Sequence, residues 1–273
     1  MLTSKILSGL TLAADASTRA WFTNYVKGST WFGCKAPIIR SVVQNAIDES
    51  FSDMEKPASK RPRSSQRNFE PQAVYLADAV ALMQRNECDA KLAGMFLLQF
   101  HSDGAELASA RTLRSLNEQV LLPQGVISDW STADWFALKV LESMWRYGEG
   151  NHELARQILN AARAPSNGLW HRRASIVAFV NWHKYRDKLP ANFGKELVDA
   201  CEANLLVSPS ERFTQTGVAW VLRYVLLDPE ERDYAFQVVC KHRDLWNTEA
   251  KKSLFEKLPK SHPFRFELNR AKN

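Results

Sequence analysis

The feature that most constrains this chain is the period of its apolar residues. ELARQILNAA (153–162), ASIVAFVNWHKY (174–185) and GVAWVLRYVLL (217–227) each place apolar side chains at helical spacing, so each buries one stripe against a neighbour. No stretch alternates apolar and polar residues long enough to make a half-buried strand. Asp103-Gly104 and Asn167-Gly168 are typical hairpin dipeptides, but here they fall between helical patterns. The chain is therefore expected to be all-α.

Most segments carry a start signal. NHELAR (151–156), SPSERF (208–213), DPEERD (228–233) and NTEAKK (247–252) set Asn, Ser or Asp ahead of acidic first-turn residues. Such side chains accept hydrogen bonds from the free amides of a first turn, and the acids complement its positive end. From residue 131 onward the helices pair at roughly 35–45-residue spacing, the period of HEAT and armadillo repeats. The expected architecture is a right-handed α-α superhelix over residues 1–273, one HEAT-like domain whose concave face holds the ligand. One segment breaks the pattern. EKPASKRPRSSQRNFEPQ (55–72) has three prolines and five Lys/Arg between Lys56 and Arg67, which predicts a flexible basic insertion over 52–72, solvated or touching phosphates.

The formal net charge is +6, which favours a polyanionic partner. Cys34, Cys88, Cys201 and Cys240 are far apart, and neither they nor the six histidines have metal-ligand spacing. Disulfides and zinc are not expected. No apolar run approaches the roughly 20 residues that span a bilayer. The first 22 residues are Ser/Thr-rich and poor in acids, faintly like a transit peptide. They read better as a first helix with Ile6, Leu10, Ala13, Ala14 and Trp21 on one face. No convincing secretion signal is present, so the protein is expected in the cytoplasm if bacterial and the nucleus if eukaryotic.

Three segments put an indole beside an ionisable group on one helical face: Trp130/Asp134, Trp170/Arg173 and Trp220/Arg223. Each tryptophan taken alone reads as core, and each arginine as a surface residue packed on an indole. By spacing alone, Ser131-x-x-Asp134 is a capping box in which Asp134 satisfies a backbone amide. Recurrence across repeats and the basic surplus point the other way. Indoles offer π faces to a cation, and arginines anchor phosphates. A lone carboxylate among them suits a site where positive charge develops, as at a sugar losing its base.

Four blocks carry a resemblance. YVKGSTWFGCKAPIIR (25–40), WSTAD (130–134), LWHRRASIVAF (169–179) and FTQTGVAWVLR (213–223) are similar, in order, to segments of the AlkD-type alkylpurine DNA glycosylases built from HEAT-like repeats. The resemblance implies that Asp134 is the catalytic carboxylate. It also implies that Trp130 and Trp220 contact the lesion-bearing nucleotide, that Arg173 and Arg223 hold the backbone, and that Tyr25 lies against the duplex. The family acts without inserting the base into a pocket and needs no cofactor. Departures are Asp129 for a second tryptophan, Ser131 for an aspartate, Thr216 for a lysine and Tyr224 for a glutamate.

The expected function is thus excision of cationic N-alkylpurines from alkylated double-stranded DNA by a monomer. The alternative is a non-catalytic repeat protein that binds distorted or branched DNA. A protein-interaction scaffold is the third reading.

Overall fold

The structure, a computed structural model, describes residues 2–55, 71–102, 108–148 and 150–269. The basic stretch 56–70 lies outside the described residues. Among those described the fold is helical, and β pairing is limited to one parallel bridge between Thr30 and Glu87.

The chain divides into two compact units, Met1–Glu149 and Gly150–Asn273. Unit 1 contains α1 (Leu2–Leu12), α2 (Ala16–Tyr25), α3 (Ala36–Glu55), α4 (Pro71–Met83), α5 (Cys88–Ser102), α6 (Ala110–Leu116), α7 (Trp130–Phe136) and α8 (Glu142–Tyr147). Helices α3 and α4 therefore extend into both ends of the expected 52–72 insertion. In unit 1, α1 packs on α3, α3 on α5 and α5 on α7, while α4 lies along α5. The N-terminal residues belong to this core, since Leu2, Ile6 and Leu10 of α1 are buried. Trp21 does not share their face. The chain breaks at Asp15, whose carboxylate accepts from Thr18 N at 2.7 Å and starts α2.

Helices α6 and α7 share one design. Ser109 caps α6 and Asp129 caps α7, each accepting from the amide of the threonine three residues on, Thr112 or Thr132. Each helix then widens into a π-helical turn, Asn117–Leu121 after α6 and Ala137–Leu141 after α7. Such turns are rare and cluster at functional sites.

Unit 2 contains α9 (Asn151–Arg163), α10 (Leu169–Val177), α11 (Phe193–Val207), α12 (Arg212–Val225), α13 (Arg232–Lys241), α14 (Thr248–Leu254) and α15 (Pro263–Asn269), with a 3₁₀ segment at Trp182–Lys188. Alternate helices pack in two rows: α9, α11, α13 and α15 in one, α10, α12 and α14 in the other. This is how helical-repeat proteins bury the apolar stripes seen in the sequence. The start signals act unevenly. Asn247 caps α14 as expected, whereas Glu211 caps α12 in place of a serine. At α9 the cap is Gly150 at φ 72°, and Asn151 is the first helical residue.

Candidate functional site

In unit 1 the site is built on α2 and α7. Residues spaced three or four apart on α2 form a column of rings. Trp21 stacks on Tyr25 with centroids 4.9 Å apart and planes at 17°, and Phe22 stacks on Trp31 at 4.4 Å. Tyr25 then meets Trp130 of α7 edge to face at 5.3 Å. Tyr25 and Trp130, distant in sequence, are thus brought together. Trp21 and Tyr25 are 57% and 56% exposed, a large aromatic surface to leave in water. Asp134 stands one turn beyond Trp130 and is only 9% exposed.

The start of α7 corrects the capping-box reading. The cap is Asp129, whose Oδ1 accepts from Thr132 N at 2.9 Å and whose Oδ2 accepts from Thr132 Oγ1 at 2.8 Å. Ser131 is the second residue of the helix and Asp134 the fifth, past the first-turn amides that need a cap. Asp129, in place of the family tryptophan, therefore takes over the cap. Trp135 is half-buried, with Phe96 edge-on at 5.8 Å and the Lys139 ammonium 5.5 Å from its ring.

Two buried charges at the head of α5 set the two walls of this site, and the sequence reading missed both. Asp89 accepts from the amides of Phe32 and Cys34, each at 2.7 Å, and so pins the Trp31–Cys34 loop. Burial pushes its carboxyl up, against the pull of those amides. Gly33 within the loop has φ 104°, and a Cβ there would collide with the Asp15 carbonyl at the head of α2. Only glycine fits. Two residues along α5, the Lys91 ammonium donates to the carbonyls of Gly125 (3.2 Å) and Val126, in the loop ahead of α7. Burial pulls its pKa down while Cys88, Asp129 and Glu87 pull it back up. The signal was CDAK (88–91), two opposite charges in an otherwise buried helix.

In unit 2, Trp170 and Arg173 lie on α10, and Trp220 and Arg223 on the adjacent α12. Trp170 rests on Phe213 with centroids 5.1 Å apart, and Trp220 is half-buried. Both arginines bond across helices within unit 2. Arg173, 6% exposed, donates through Nη1 to the Phe213 carbonyl (2.6 Å) and Thr216 Oγ1 (3.2 Å), crossing from α10 to α12. Gly217 makes room for it. A lysine at 216 would face this guanidinium with a second cation, whereas threonine supplies an acceptor. Arg223 of α12 crosses in the same direction and pairs with Glu256, just past α14. Its neighbour Tyr224 stacks on His183 at 5.1 Å.

Comparison with known proteins decides the family. A family model described as "DNA alkylation repair enzyme" matches residues 6–236. The chain belongs to that family. All four sequence blocks lie inside the match. A search of curated proteins found no match. Among solved structures, "Predicted DNA alkylation repair enzyme from Enterococcus faecalis" superposes with a TM-score of 0.58 at 15% identity, covering 91% of this chain and 98% of that one. At that identity the likeness supports the helical fold alone. For a DNA alkylation repair enzyme the candidate residues therefore fall into two groups: an exposed aromatic group with a carboxylate in unit 1, and interhelical arginines in unit 2.

Proposed function

We propose that this DNA alkylation repair enzyme is a monomeric glycosylase that hydrolyses the N-glycosidic bond of cationic N-alkylpurines in duplex DNA, of the 3-methyladenine and 7-methylguanine type, without base flipping. The observation that carries this reading is the comparison of α7 with α6. Both have an N-cap, a threonine three residues later and a π turn, yet α6 has Ala110 and Arg114 where α7 has Trp130 and Asp134. Arg114 is exposed and Asp134 is buried. This kind of helix is built without a tryptophan or an acid at those positions, so their presence on α7 calls for another explanation.

The chemistry needs little else. An N-alkylpurine already carries positive charge, so the C1′–N bond breaks with its electron pair moving to the base, which leaves neutral and needs no general acid. The sugar is left with oxocarbenium character at C1′. The Asp134 carboxylate stabilises that charge in a partly dehydrated setting, where electrostatic stabilisation is strong. Water adds at C1′ and gives up its proton, to Asp134 or to solvent, leaving an abasic site. Trp130 and Tyr25 offer π faces to the cationic base. Their open position at the surface fits recognition without an enclosing pocket.

In unit 2, Trp220 contacts the lesion-bearing nucleotide. Arg223 reaches the DNA backbone by exchanging the half-exposed Glu256 for a phosphate. Arg173 serves as a positioning residue that holds α12 and with it Trp220.

Release of free methylated base from methylated duplex DNA, and none from unmodified DNA, is the test. Wild-type protein that binds DNA in a salt-sensitive way but releases no base would support the binder of distorted or branched DNA instead.

A further inference from the structure

The resemblance accounts for Tyr25 and Trp130 but not for Trp21, which continues the same column of rings along α2. Its indole is the most exposed tryptophan among the described residues of unit 1. Tyr25, one turn later, covers one face. One turn earlier, Ser17 and Thr18 line an open cavity of about 550 Å³ with Trp21, Phe22 and Lys35. The cavity combines an aromatic wall with one exposed cation. The nearby acid, Asp15, is turned to the helix: its carboxylate accepts from Ser17 Oγ (2.7 Å) and Thr18 N (2.7 Å). Those bonds, the Ser17 hydroxyl first, hold its pKa down at about 2, with a smaller pull from the nearby Lys35 charge.

An indole face with a lysine beside it matches one chemical class well, a nucleotide that has left its stack. The base offers a π face and the phosphate a negative charge, and stacking of this kind tolerates any base. We propose that Trp21 and Lys35 form a second nucleotide subsite, which takes an unstacked base of the bound DNA on Trp21 and its phosphate on Lys35. The subsite is separate from the lesion position: Tyr25 stands between Trp21 and Trp130, so the base on Trp21 is a different one from the base leaving at Asp134. This proposal rests on the reading of the protein as a DNA-binding repair enzyme. It adds that the enzyme holds open a distortion beside the lesion, and that duplexes with an unpaired base bind more tightly than fully paired ones.

The test measures binding of wild type, Trp21→Ala, Trp21→Phe and Lys35→Ala to two labelled duplexes, fully paired and with a single-base bulge, across a salt series, with base release measured in parallel. Thermal melting checks folding, which an exposed ring should not govern. The subsite predicts that Trp21→Ala weakens bulge binding about tenfold, with a smaller effect on the paired duplex. Trp21→Phe should keep most of the affinity, and Lys35→Ala should lower the salt slope by about one. Equal binding of both duplexes by wild type and Trp21→Ala overturns the subsite, while base release by the wild type leaves the glycosylase reading standing. The predicted loss of bulge binding without base release supports the subsite and sinks the glycosylase reading. Wild-type protein that binds neither duplex overturns both.

Discussion

Trp130/Asp134 in unit 1 and Trp220/Arg223 in unit 2 look alike in sequence, each an indole followed by a charged residue about one turn later. The structure separates them. Asp134 is buried on α7, one turn beyond Trp130, whose ring meets the exposed Tyr25 edge to face. Arg223 and its counterpart Arg173 leave theirs and bond to the next element of the same helical row. The difference lies in reach. Helical spacing decides which face a side chain occupies, but side-chain length decides which neighbour it meets. In a row of stacked helices, a guanidinium with five donors finds carbonyls and carboxylates one helix away.

The largest expected effect is on the unit 2 side of this contrast. Arg173→Ala removes a buried crosslink between α10 and α12 and should lower stability by about 3 kcal/mol, read by denaturant melting. A loss confined to DNA affinity would make Arg173 a surface contact after all. A comparable change should appear with pH. His171 lies on α10 beside Arg172 and is 3% exposed, with neither ring nitrogen hydrogen-bonded. Burial first, and Arg172 second, pull its pKa from 6.5 down to about 4. The unfolded chain therefore takes up a proton that the native state resists. This part of the stability is complete above pH 6.5 and is lost as pH falls toward about 4, by on the order of 3 kcal/mol. His171→Leu should flatten that slope at little cost at neutral pH, because no hydrogen bond is lost. An unchanged slope would assign the acid sensitivity elsewhere.

Thr216→Lys sharpens the contrast from the opposite side. It takes away the acceptor at 3.2 Å from Arg173 and puts a cation in its place, which should cost about 2 kcal/mol and free the guanidinium. A gain in DNA affinity alongside that loss would show a backbone contact given up for a packing one. The smallest effect belongs to Asp129→Ala, a lost N-cap worth about 1 kcal/mol in melting.

The helices and their layering were legible because periodicity reports burial, and burial is most of what a stacked row of helices requires. The pairing of Tyr25 with Trp130 was reachable only through family resemblance, since more than 100 positions separate them. Other features turn on geometry that spacing does not encode. Placing the α7 cap at Asp129 and not Ser131 depends on where the first helical φ/ψ falls, a one- or two-residue question. Trp21 was assigned to the first helix although Asp15-x-x-Thr18 marked a break. The two π turns left no trace in composition. The bond from Arg173 to the Phe213 carbonyl was not legible because a backbone carbonyl is a group every residue has. Asp89 and Lys91 went unnoticed for the same reason, as both bond to main chain.

The central claim is that two acids five positions apart have been divided between structure and chemistry. Single-turnover base release from methylated duplex DNA, set beside the melting temperature for Asp129→Ala and Asp134→Asn, tests it directly. The account predicts that Asp134→Asn melts like wild type and loses release by about 100-fold or more, while Asp129→Ala melts lower and retains most of the rate. Full release by Asp134→Asn, or a fall in rate matched by an equal loss of stability, would contradict it.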